Sequence, residues 1–312
     1  MQLESTSVAL LRSPTYQLET IKQGIERLCS AVSFAMPSGV RVLLKPNLIT
    51  ASRQANGLQC THPQFIAAVA EWCIDHGARV LVGDSPAFGT AKGVMAACGI
   101  TDALRHLPVQ LVNFSRVQPV CLADGTRVGL AAAALECDFL FNLPRVKTHC
   151  QFYVTLAIKN YFGTVVGLRK PWWHMRYGGC PERFARHLVD LLVLLPAGVC
   201  LADGIVAMQG EGPVSGRPYN LGVIAGSRNP VAMDTALLDV LGLRPAESPV
   251  GRECLRRGLA GAESASLTFP LLPSAALRVA DFSPPAVLKP IRFHPYRVLV
   301  GGIRRLLAHS KP

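Results

Sequence analysis

The sequence predicts an α/β protein with a mainly parallel sheet and helices on both faces, in three layers. A small hairpin and a basic C-terminal helix are expected in addition. Three observations lead there. Short apolar runs alternate with amphipathic stretches along the chain, the pattern of strand–helix–strand units. Half of the 312 residues are hydrophobic and only 17% are charged, which supplies a large core and argues against disorder. Charged and turn-forming residues recur just after the apolar runs, as in Lys45-Pro46-Asn47, Gly83-Asp84-Ser85, Asn142 to His149 and Asp203-Gly204. In a parallel sheet such ends line one edge, where ligands bind.

Residues 7–11 form the first expected strand and 18–29 a helix. Residues 40–44 form a second strand that ends at Lys45. Pro63 suits the first turn of a helix reaching about residue 76, with Thr61 as its expected N-cap. A strand over 79–82, a helix over 90–98 and a strand over 109–114 follow. Residues 120–128 suit a hairpin turning at Ala123-Asp124-Gly125. A buried strand at 139–142 precedes a helix over about 153–166, and a second helix covers 183–194. The strand at 199–202 runs into Asp203-Gly204. A strand at 221–225 and helices at 231–241 and 249–259 complete the pattern. Residues 260–290, rich in Ala, Ser, Leu and Pro, are expected to wrap the surface.

No repeat or clear linker divides residues 1–290, so they are expected to form a single α/β domain. Residues 291–312 form a basic tail with apolar spacing, suited to docking on the domain or to peripheral membrane contact. The formal net charge of +12 favours an anionic partner. The basic residues are dispersed and not interleaved with aromatics, which disfavours nucleic acid. Ten cysteines without any C-x-x-C spacing suggest reduced thiols in a cytoplasmic protein, with a scattered metal cluster as the alternative. No N-terminal leader pattern and no apolar run of transmembrane length is seen. Oligomeric state is not legible.

The chemistry concentrates after the strand at 139–142. Arg145, Lys147, His149 and Lys159 follow within a short span, and Lys170 lies beyond them. Lys offers a compact charge and Arg a bidentate fork for carboxylate or phosphate. Asp84, Asp203, Glu211 and Asp234 are the acidic counterparts, able to hold a divalent ion or orient a base. Asp84 and Asp203 equally suit tight-turn caps, and Asp234 suits the first turn of its own helix. His62, His149 and His174 are candidate acid/base groups, each also compatible with a structural role. Gly210 to Gly216 reads either as a loop that closes over a ligand or as a surface turn. No dinucleotide fingerprint, P-loop or nucleophile elbow is present.

With these motifs assembled, the chain resembles the DUF362 family, a domain of unknown function. The resemblance rests on Lys45-Pro46-Asn47, Thr61-His62-Pro63, Gly83-Asp84-Ser85, Asn142-Leu-Pro-Arg-Val-Lys-Thr-His149, Thr155 with Lys159-Asn160, Phe162-Gly163, Asp203-Gly204, Glu211-Gly-Pro213 and Ala232-Met-Asp234. They stand in the family's order over roughly residues 40 to 245, and the stretch from Lys170 to His174 is similar to its basic segment ending in His. Many relatives add a ferredoxin-like C-x-x-C-x-x-C segment, which this chain lacks, so no iron–sulfur cluster is carried over.

The expectation is an enzyme that binds a carboxylate- or phosphate-bearing small molecule at the carboxyl edge of the sheet. His149, Lys147, Lys159 and His62 are the catalytic candidates. Lys45, Asn47, Arg145, Thr148, Asn160, Lys170 and His174 are the substrate-binding candidates. Asp84, Asp203, Glu211 and Asp234 are the candidates for a divalent metal. The alternative is a non-catalytic, metal- or redox-associated accessory that docks a partner.

Overall fold

The computed structural model describes residues 4–51, 57–166, 173, 176–177 and 179–289. Lys170, His174 and the basic tail at 291–312 lie outside them. The strands are β1 (Ala9–Arg12), β2 (Arg41–Pro46), β3 (Arg79–Asp84), β4 (Val109–Asn113), β5 (Val117–Cys121), β6 (Arg127–Ala131), β7 (Phe139–Leu143), β8 (Arg145–His149), β9 (Tyr153–Thr155), β10 (Cys200–Gln209) and β11 (Arg217–Ser227). The helices are α1 (Leu18–Ala31), α2 (Pro63–Asp75), α3 (Ala91–Ala97), α4 (Ile100–Leu104), α5 (Ala132–Leu135), α6 (Ala157–Tyr161), α7 (Pro181–Asp190), α8 (Pro230–Val240) and α9 (Pro249–Arg256).

The large sheet runs in the order β1-β11-β10-β7-β2-β3-β4, and β8 adds to β10 with β9 beside it. β10, β7, β2, β3 and β4 are mutually parallel, and β8 is parallel to β10. β11 and β1 close one side in antiparallel fashion. β5 and β6 form the separate hairpin, longer than the expected 120–128.

Side chains alternate across each strand, and that alternation divides the core. Leu10, Leu43, Leu140, Cys200 and Val223 face the cluster shared with α6, α7 and α8. Ala9, Val42, Leu44, Phe141, Leu201 and Ile224 face the cluster shared with α1, α2 and α3. Two apolar bodies separated by one sheet give the three layers. Among the described residues, no helix is long and apolar enough to cross a membrane.

Several local expectations change. His62, not Thr61, caps α2: its Nδ1 accepts from the Gln64 N–H at 3.2 Å, and Pro63 occupies the first turn. Thr61 Oγ1 instead accepts from Asn47 N at 2.8 Å and donates to Leu143 O at 2.6 Å, stitching two strand ends together. The helix expected over 153–166 splits into β9 and the short α6, and β8–β9 is an antiparallel pair. Asp203 lies inside β10 and not in a turn, because that strand continues to Gln209 past an irregularity between Gly204 and Val206.

The chain leaves β2 toward β3 and β4 on one side, whereas β7 and β10 lie on the other. The order therefore reverses between β2 and β7. A parallel sheet opens a crevice at such a reversal, beyond the carboxyl ends of the strands.

Candidate functional site

β8 carries the cationic motif as a strand, so Arg145, Lys147 and His149 share one face while Val146 and Thr148 take the other. Val146 enters the core, and Thr148 Oγ1 accepts from Gly212 N at 3.2 Å. A Cβ at Gly212 would stand 2.1 Å from Thr148 O, so only glycine lets the β10–β11 loop lie so close. The segment from Gly210 to Gly216 is thus tied to β8 at Gly212.

Lys45, next to last in β2, is fully buried, with Nζ 3.0 Å from Asp84 Oδ1. It donates to Asn160 Oδ1 at 3.1 Å and Pro46 O at 2.9 Å. Burial pushes its ammonium below the usual lysine range, and the Asp84 charge opposes this. Asp84 Oδ2 accepts from Leu48 N at 3.0 Å. Asn160 Oδ1 also accepts from Asn47 Nδ2 at 2.7 Å, and its Nδ2 donates to Asn142 Oδ1 at 2.7 Å. Lys147, 0% exposed, donates to Asn47 Oδ1 and, at 2.6 Å, to Gln59 O. Burial pushes Lys147 down to about 7; the nearby Arg145 and Lys159 charges add to this, and Cys60 opposes it.

Gly163 closes on the ion pair, since a Cβ there would sit 2.1 Å from Asp84 Oδ1 and 2.3 Å from Lys45 Nζ. Gly163→Ala is expected to destabilise by about 1–3 kcal/mol, the usual range for overpacking. Urea unfolding checks this, and an unchanged midpoint would show that the ion pair yields easily.

The second cluster centres on Asp203, which neighbours Arg145 across the β8–β10 register. Its Oδ1 accepts from Tyr16 OH at 2.7 Å, and its Oδ2 accepts from His62 N at 2.9 Å and faces Arg145 Nη1 at 3.3 Å. Arg145 also donates to Cys60 O and Val206 O. The His62 ring stacks on Tyr16 with centroids 3.5 Å apart. Burial pushes His62 down and Tyr16 up. The Gln59-Cys60-Thr61 segment joins both clusters, receiving Lys147 at the first carbonyl and Arg145 at the second.

Other candidates lie apart from these contacts. Lys159 places its ammonium against the rings of Phe152, Phe162 and Phe184 at 5.2, 4.6 and 5.7 Å. Burial pushes it down to about 7, and the Lys45 charge adds to this. His149 Nδ1 accepts from Gln151 N at 3.1 Å, which puts the proton of a neutral ring on Nε2.

The four carboxylates named for a metal do not converge. Asp84 and Asp203 serve different cations. Asp234 leaves its own helix to receive Ala157 N at 2.6 Å and Ile158 N at 3.3 Å, holding the start of α6. Asp234 is the fifth residue of α8, past the first turn expected for it, so its placement has a tertiary explanation, and burial pushes its carboxyl up to about 8. Glu211 is exposed, 3.8 Å from Lys289 Nζ. Among the described residues, no three His, Cys, Asp or Glu side chains are grouped as a metal site.

Sequence reasoning missed Tyr16, Asn142 as a network member, and the carbonyls of Gln59 and Cys60. Asn142 stood inside the motif already singled out. Tyr16 gave no signal, because its partner Asp203 is 187 residues away. Beside Asp84 opens a cleft of about 140 Å³ lined by Ser85, Thr90, Asn113 and Val166. The void bordered by Lys159 and Asp234 measures only about 10 Å³, room for a single water at most.

The model of DUF362, a domain of unknown function, matches residues 42–239. The chain is 38% identical over 299 residues to the thylakoid-associated protein sll1697 of Synechocystis sp., covering 94% of this chain and 92% of that protein. Among solved structures, it is similar to the lactate racemase apoprotein of Thermoanaerobacterium thermosaccharolyticum, with a TM-score of 0.44 and 14% identity over 74% of this chain. A Thermotoga maritima protein gives a TM-score of 0.45 and 13% identity over 67% of this chain. The chain spans 56% of the length of each of those two structures.

Proposed function

This chain belongs to the DUF362 family, whose description assigns no activity, and we propose that it is an enzyme that binds a small carboxylate- or phosphate-bearing molecule at the sheet edge and moves a proton on it. The observation that carries this reading is Lys147, a fully buried amine held by two neutral oxygens and brought down to about 7. A neutral amine at physiological pH is a competent general base, and a desolvated site makes its charge state responsive to a ligand. Lys45, Arg145 and Lys159 stand nearby, and among the described residues their carboxylate partners are Asp84 and Asp203. An incoming anion supplies the missing negative charge. Lys147 then takes up a proton from the substrate or solvent, His149 Nε2 donates one, and Asp203 keeps Arg145 oriented. The cleft beside Asp84 suits a ligand of few atoms.

Inorganic phosphate and small carboxylates are expected to raise the melting temperature. A ligand at about 100 times its dissociation constant stabilises by about 2.7 kcal/mol. The shift should be larger at pH 7 than at pH 9, because neutral lysines no longer attract the anion, and Lys147→Met should abolish it. Absence of any shift across small anions at pH 7 would overturn the reading.

A further inference from the structure

We propose that Cys60 and Cys98 form a reversible disulfide, a peroxide-driven thiol switch built into the wall of the lysine site. Their sulfurs lie 3.6 Å apart, in direct contact. A disulfide requires an approach of roughly 1.5 Å more, within the reach of small side-chain and backbone shifts. Cys98 follows directly on α3 and is partly exposed, whereas Cys60 is buried just before His62 and α2. Oxidation would therefore link the end of one helix to the entry of another.

The surroundings prepare Cys60 to react. The Cys98 thiol donates to it, and the backbone N–H groups of Ile49 and Thr50 and the charge of Lys147 assist; together they bring Cys60 down to about 7 against the effect of burial. Cys98 is pushed up by the same contact. One thiolate beside one thiol is the state from which oxidation proceeds. Burial instead pushes Cys29, Cys73, Cys137, Cys200 and Cys254 up and keeps them inert.

The chemistry balances with a peroxide as oxidant. The Cys60 thiolate attacks one oxygen of hydrogen peroxide, the O–O bond breaks, and the departing hydroxide takes up the proton Cys60 released. Cys60 is left as a sulfenic acid. The Cys98 sulfur then attacks the Cys60 sulfur, the S–O bond breaks, and the oxygen leaves as water with the Cys98 proton. Two thiols lose two electrons, and one peroxide becomes two waters.

The consequence reaches the site through the backbone. Gln59 O holds Lys147 at 2.6 Å and Cys60 O holds Arg145 at 3.2 Å, so drawing Cys60 toward Cys98 moves both supports. Oxidation also removes the thiolate charge that favours the ammonium form of Lys147. This regulatory consequence rests on the proposed function, whereas the thiol chemistry does not.

The test uses the full chain, reduced, freed of reductant and titrated with hydrogen peroxide. Intact mass should fall by two hydrogen atoms, a Cys60–Cys98 linked peptide should appear, and dithiothreitol should reverse both. In Cys98→Ser, dimedone should trap Cys60 as its sulfenic acid. Earlier oxidation of the exposed Cys121 and Cys180 with no linked peptide would overturn the proposal. Acylation of Lys147, followed by peptide mass at pH 7, where about half of the amine is neutral, should proceed up to about twofold faster in the oxidised form. An unchanged rate would overturn the control of the lysine site. If phosphate stabilises neither form while the linked peptide appears, the anion reading fails and the thiol switch stands.

Discussion

Lys147→Met is expected to gain stability over the parent protein as the pH is lowered from 9 to 6. Lys147 is 0% exposed and brought down to about 7 from an ordinary 10.5. The unfolded chain therefore binds more protons at this position over the whole interval between those values. Stability rises with pH wherever the unfolded state holds the extra proton, so the parent gains from Lys147 as pH increases and pays most below pH 7. Between pH 6 and 9 the contribution changes by about 2–3 kcal/mol on the linkage relation. The methionine variant lacks this contribution, while those of Lys159 and Lys45 remain in both proteins. It loses the two hydrogen bonds to Asn47 and Gln59 at every pH, a constant offset that leaves the slope untouched.

The comparison must be a difference between the two proteins. Burial pushes five buried cysteines up, and these lower stability as the pH rises toward and beyond their ordinary range. That background is common to both proteins and cancels. Urea unfolding at pH 6, 7, 8 and 9 gives the answer directly. A difference that stays flat with pH would mean that Lys147 remains charged in the folded protein. The proton-transfer role proposed for it would then fall.

Which residues gather at the strand ends was largely legible, because each follows an apolar run. Lys45, Asp84 and Arg145 to His149 all sit where a buried strand meets the edge of a parallel sheet. Which residue touches which was not legible. That depends on strand order, and β10 beside β8 brings Asp203 to Arg145 across 58 positions of sequence. Periodicity also failed locally where β-forming residues interrupt a helical pattern. Tyr153-Val154-Thr155 pairs with Lys147 to His149, and so ends the expected helix before it begins. The metal expectation had a similar origin. Carboxylates near strand ends look alike in sequence, yet burial forces each to find its own donor: a lysine for Asp84, an arginine and a phenol for Asp203, backbone N–H groups for Asp234. Glu211, free of that demand, stays at the surface.

Asp203→Ala is expected to be the most destabilising truncation at the site. Both oxygens are committed, one to Tyr16 OH and the other to His62 N and Arg145. Removing them leaves a guanidinium that is 2% exposed, held by the Cys60 and Val206 carbonyls and the Tyr16 ring, with no compensating charge beside it among the described residues. Breaking a buried ion pair by deleting one member costs about 3–5 kcal/mol, because the surviving charge is stranded. Asp203→Asn keeps the shape and some acceptor capacity and should cost less, about 1–3 kcal/mol. The double variant Asp203→Ala/Arg145→Met should recover part of the loss, since the stranded charge is gone. Urea unfolding of all three settles the point; equal costs for Ala and Asn, with an additive double variant, would mean that the carboxylate charge contributes nothing. The functional consequence is separable from the structural one. Asp203 fixes both the start of α2, through His62 N, and the plane of Arg145, through its ion pair. In the Asn variant, which should still fold, phosphate binding should weaken more than stability does, because a guanidinium no longer anchored by charge turns toward any available anion without a fixed geometry.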